Sequence, residues 1–69
     1  MDDALAIFTV LADLFPENDM AFDSLGEAYL RKGDKEHAKA SFQRAVELNP
    51  ENSNASAKLA SLKPDMEGN

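Results

Sequence analysis

The chain has 69 residues, with 13 acidic against 7 basic side chains, one histidine and no cysteine. A domain this short buries only about 60% of the surface its unfolded chain exposes, and the composition excludes disulfides, cysteine-bound zinc and a histidine-rich metal site as supports. The net charge of −6 weighs against nucleic acid and anionic membranes, which need positive charge at the contact, so support must come from regular helix packing, another chain or a larger protein.

The apolar run from Ala4 to Phe15 predicts a helix from about Asp3 to Phe15. Asp2 and Asp3 at its start suit the helix dipole, and Pro16 stops it. Asp13 interrupts the run, which is too short for a bilayer; with no basic leader in front of it, a cytoplasmic location is expected. Asn18 or Asp19 caps a second helix that runs to about Lys32 and ends at Gly33, where a left-handed residue is tolerated. Asp34 caps a third, ending near Leu48 to Asn49 ahead of Pro50. Asn52 or Ser53 caps a fourth, which stops by Pro64. The links are short, so consecutive helices must fold back as antiparallel hairpins.

A shift of 34 residues lays the sequence on itself: Ala4 meets Ala38, Phe8 meets Phe42, Leu14 meets Leu48, Pro16 meets Pro50, and Asn18 meets Asn52. The match continues with Ala21 on Ala55, Leu25 on Leu59 and Gly26 on Ala60. Phe22, Leu25, Gly26 and Tyr29, then Ala38, Phe42 and Ala45, then Pro50, carry a pattern that resembles the tetratricopeptide repeat, with Phe22 in place of the usual tryptophan. The resemblance implies an all-α fold: antiparallel helix hairpins of an α-solenoid, about four helices in the order half repeat, full repeat, capping helix. Residues 1–17 are read as the second helix of an incomplete repeat, 18–52 as a complete repeat, 53–63 as the C-terminal capping helix and 64–69 as a flexible tail. Ser56 and Lys63, where an aromatic and a tyrosine should stand, suit a cap with no further repeat to cover.

Gly26 sits inside the second helix, where it costs about 1 kcal/mol relative to alanine. Phe22, Leu25, Gly26 and Tyr29 share one face, as do Ala38, Phe42 and Ala45. Setting Gly26 opposite Ala38 would let two backbones approach closely, with the aromatic rings on either side.

Catalytic chemistry finds no constellation. His37 lies among Lys35, Glu36 and Lys39 and reads as a solvated histidine with no serine or cysteine nucleophile beside it. Glu17 and Asp19 are accounted for by a turn and a helix start, and "PENDMAFD" lacks the glycine and closing glutamate of a calcium loop. No cofactor is expected. A helix-turn-helix reading is opposed by Glu36 and Glu47 on the third helix and by the repeat period.

The resemblance implies a protein-interaction module whose inner face, lined by the first helix of each pair, holds a peptide. The residues that miss the core face are Met20, Asp23, Ser24, Glu27, Leu30 and Arg31, joined by Lys58 of the fourth helix; Glu27 and Arg31 are spaced as an ordinary four-apart pair. Family members that hold acidic chaperone tails use basic residues here. With Asp23 and Glu27 in their place, a neutral or basic segment is the expected partner.

The repeat count suggests a piece of a longer protein, since arrays need about three units to be stable. The stretch "DSLGEAYLRKGDKEHAKASFQRAVELNPEN" also looks like the C-terminal segment of bacterial serine hydrolases of the β-lactamase-like group, which would make the chain a non-catalytic accessory or dimerisation segment. At the shifted positions Lys39, Ser41 and Arg44 become Leu5, Ile7 and Val10, so the first helix is apolar nearly all round. A homodimer of the isolated chain through Leu5, Ile7, Phe8, Val10 and Leu11 is the expected cover.

Overall fold

The computed structural model describes residues 3–62. Four helices follow one another, α1 (Asp3–Leu14), α2 (Asp19–Lys32), α3 (Lys35–Leu48) and α4 (Ser53–Leu62), each packed on the next in chain order. Phe15 falls just past α1 rather than at its end, although its N–H still donates to the Leu11 carbonyl at 2.8 Å. Lys63 and the tail expected over 64–69, like Asp2, lie outside the described residues.

Local chemistry sets the boundaries. The Asn18 side chain accepts from the N–H groups of Met20 and Ala21 at 2.9 and 3.3 Å, so it is Asn18 that caps α2. At the other end Gly33 takes φ of 91°, its N–H donating to Leu30 and that of Asp34 to Tyr29, the paired bonds that close a helix around a left-handed residue. Asp34 accepts from the His37 N–H at 3.1 Å to begin α3. Asn52 accepts from Ala55 at 3.0 Å to begin α4.

The core is built on small side chains. Ala38, Phe42, Ala45 and Ala55 are fully buried, with Phe22, Tyr29 and Leu30 of α2 and Leu59 and Leu62 of α4 packed against them. A second cluster, Ala12, Ala21 and Leu25, holds α1 to α2 through Leu5, Phe8 and Leu11. Alanines at these places bring the helices close, and Phe42, the one fully buried large side chain among the described residues, fills the space left.

Packing sorts the expected residues. The ring of Phe42 is what a side chain at Gly26 would meet first: a Cβ there would lie 2.7 Å from both Cε1 and Cζ. Leu30, expected on the inner face, is half-buried and packs against the α3 cluster. Leu5 packs on the α1–α2 cluster, together with Phe8 and Leu11, so it does not belong to an unpartnered stripe. Ser41 is only 7% exposed, whereas Ile7, its counterpart in α1, is 57% exposed. Pro50 stays exposed in the turn between α3 and α4.

Candidate functional site

Two surfaces emerge, and they divide the residues expected on the inner face. The first is a polar ladder between α2 and α4. Asp19, Asp23 and Glu27 recur every fourth residue and so form one stripe of α2. Asn49 and Asn52 donate to the Asp19 carboxylate at 3.2 and 2.8 Å. Asn54 donates to both oxygens of Asp23 at 2.9 and 3.1 Å. Lys58 Nζ lies 2.5 Å from Glu27 Oε2, in place of the Glu27 to Arg31 pair that helical spacing suggests. The carboxylates are thus largely answered within the chain, and Lys58 is engaged with them. The sequence reading took Asp19 and Asn52 as cap candidates and gave Asn49 and Asn54 no site role, because each has a local reason to exist at a helix start or a turn; the signal for their pairing was the four-residue acidic stripe facing amides about 30 residues on.

The second surface is a groove of about 380 Å³ between α1 and α2, lined by Ala4 and Phe8 of α1 and by Ser24, Glu27, Ala28 and Arg31 of α2. It joins residues from two expected sets, Phe8 from the apolar face of α1 and Ser24, Glu27 and Arg31 from the inner face of α2. Beside it Ile7 and Val10 are exposed, and Leu14, which the sequence placed only in the repeat register, continues their stripe one turn on. Met20 is exposed and stands apart from the groove near the start of α2. Phe22, Leu25, Tyr29, Ala38 and Ala45 are all used in packing.

His37 is tied into the α2–α3 corner rather than poised for chemistry. Its Nδ1 lies 2.7 Å from Asp34 Oδ2 and its ring stacks on Tyr29 with centroids 5.0 Å apart. The hydrogen bond from the His37 N–H, more than any other contact, holds the Asp34 carboxyl below the usual aspartate range, helped by the ring and by the charge of Lys32. Among the described residues no three of His, Cys, Asp and Glu gather in a metal-binding arrangement, and no helix is long and apolar enough to cross a membrane.

Antiparallel helix pairs repeated at a fixed period, with groove and ladder set between successive pairs, define a helical-hairpin repeat protein. The family model of the tetratricopeptide repeat matches residues 20–52, so the chain carries a tetratricopeptide repeat formed by α2 and α3. The repeat marks a protein–protein interaction module and is in general non-catalytic. No curated protein and no solved structure matches the chain.

Proposed function

We propose that the chain is a non-catalytic interaction module that seats a segment of a partner polypeptide in the groove between α1 and α2. The observation that carries this reading is the groove itself, whose lining combines the apolar side chains of Ala4, Phe8 and Ala28 with the polar groups of Ser24, Glu27 and Arg31, a combination in which apolar contact gives affinity and a few placed polar groups give orientation. A neutral or basic segment fits it, since the charged residues that line the groove are Glu27, which also meets Lys58, and Arg31. Asp23 and Lys58 act through the ladder, fixing α2 against α4.

A second reading is favoured by Ile7, Val10 and Leu14, large aliphatic side chains that stand exposed along α1. In it the chain is an accessory segment, joined through α1 to a larger protein or to a second copy of itself.

Selection of helical peptides displayed on phage against the full chain tests the main reading, with binders mapped by amide chemical shifts. Binders that move Ala4, Phe8, Ser24 and Ala28 support it. Binders that map only to the outer surface of α3, or a selection that yields none, overturn it.

A further inference from the structure

The turn between α1 and α2 carries apolar surface that the fold does not use. Leu14, Phe15 and Met20 are 65%, 52% and 68% exposed, and none of them packs on the two clusters that hold the helices together. Asn18 caps α2 and Pro16 turns the chain, so neither the cap nor the turn calls for an apolar side chain at these three places. Residues 14–19 line an open cleft of about 510 Å³. Single exposed hydrophobic residues are ordinary, but several together beside a cleft mark a contact surface.

The charge around this cleft is of one sign. The first 30 residues hold seven acidic side chains and no lysine, arginine or histidine. Asp13 and Glu17, two residues to either side of Phe15, are exposed, and their carboxylates have no hydrogen bond or ion pair among the described residues. Asn49 and Asn52 answer Asp19, and the same bonds bring the α3–α4 turn, with the exposed Glu51, to this end of the bundle. Arg31, Lys32, Lys35 and Lys39 belong to the opposite end, around the α2–α3 turn. Unanswered carboxylates around apolar surface attract a cationic partner and turn away an acidic one.

We infer that the α1–α2 turn docks a partner segment in which large apolar side chains are flanked by arginine or lysine. The apolar side chains cover Leu14, Phe15 and Met20. The cations meet Asp13, Glu17 and Glu51, and an arginine can also lie on the face of the Phe15 ring. A second copy of this chain offers no such segment, since its cationic stretch from Arg31 to Lys39 contains no large apolar residue. The surface is separate from the α1–α2 groove, which is lined from Ala4 and Phe8 to Ala28 and Arg31 toward the other end of the same hairpin, so the inference does not rest on the groove.

The test titrates the isotope-labelled full chain with the synthetic peptide acetyl-Arg-Arg-Leu-Phe-Leu-Arg-Arg-amide. One counterpart has glutamate for every arginine, and another has serine for the three apolar residues. The expected result is saturable amide shifts at Phe15, Glu17 and Met20 with the first peptide, and binding weaker by more than about tenfold with each counterpart. Phe15→Ser and Met20→Ser lie outside the buried clusters and should each weaken the first peptide by about fivefold, while Ile7→Ser, equally exposed on α1, should leave its binding unchanged. Shifts confined to Ala4, Phe8, Ser24 and Ala28 would overturn the inference and leave the groove as the docking site. No saturable shifts, equal binding of the glutamate counterpart, or serine variants at 15 and 20 that bind as the parent does would overturn it as well.

Discussion

The ring of Phe42 occupies the space that a side chain on Gly26 would need, with Cε1 and Cζ each 2.7 Å from the Cβ position. Phe42 is fully buried, so its ring has no solvent side toward which to move. Gly26→Leu should therefore cost about 1–3 kcal/mol through overpacking, despite the better helix propensity of leucine. Urea denaturation checks this, and a variant as stable as the parent would refute the packing argument. Phe42→Ala, which empties the same space, should cost about 3–5 kcal/mol.

Asn52 caps α4 and donates to Asp19. Asn52→Asp should keep the cap, since aspartate is as good at that position as asparagine, but would set a carboxylate against those of Asp19 and Asp23. The expected loss is about 1–2 kcal/mol, relieved by salt. Denaturant melts of this variant and of Asn52→Ser at low and high salt separate the two effects: only the aspartate variant should recover.

Glu27 and Lys58 are 38% and 35% exposed at their side chains, so their close pair is well screened by water. Lys58→Met should change stability by less than about 1 kcal/mol. A larger loss, measured by thermal melting at moderate ionic strength, would mean that the pair anchors α4 more firmly than its exposure implies.

The Asp34 cap carries a pH signature. Its pKa in the folded state is lowered, chiefly by the hydrogen bond from the His37 N–H, so its contribution is complete above the ordinary aspartate value of about 3.9. That contribution is lost as pH falls through the lower folded value. Asp34→Asn retains a capping side chain without the titration. The parent's melting temperature should consequently fall more steeply than the variant's below about pH 4, and parallel curves there would show that the cap does not titrate with folding.

Exposure along α1 separates residues that sequence alone grouped together. Ile7→Lys and Val10→Lys should each change stability by about 0.5 kcal/mol or less, while Leu5→Lys, placed on the Ala12, Ala21 and Leu25 cluster, should cost well over 1 kcal/mol. Sedimentation equilibrium of the same lysine variants reports whether this face also joins two copies.

Features set by local chemistry were legible in the sequence. Asn18, Gly33, Asp34 and Asn52 mark helix ends because each acts on backbone within a few residues, and the period placed α3 on α2. What escaped depended on rotation of one helix about its axis. Leu30 and Leu5 each sit at the edge of an apolar stripe, where a small turn of the helix decides between core and water, and only the neighbour's shape fixes that turn. The Gly26 contact was read as a close approach of helices, but whether backbone or ring fills the gap depends on the Phe42 rotamer. The ladder from Asp19 to Lys58 joins residues about 30 apart, so its members resembled isolated caps and surface charges.

Asn52 has a kinetic consequence as well. The side chain that starts α4 is also held by α2, so the first turn of α4 cannot unravel without releasing a carboxylate of the preceding hairpin. Amide protons at Ala55 and Ser56 should exchange with solvent in step with those of early α2 instead of fraying on their own. Cooperativity then passes from hairpin to hairpin through amides and carboxylates at the rim as well as through buried apolar contact, and a small helical array can unfold as one body.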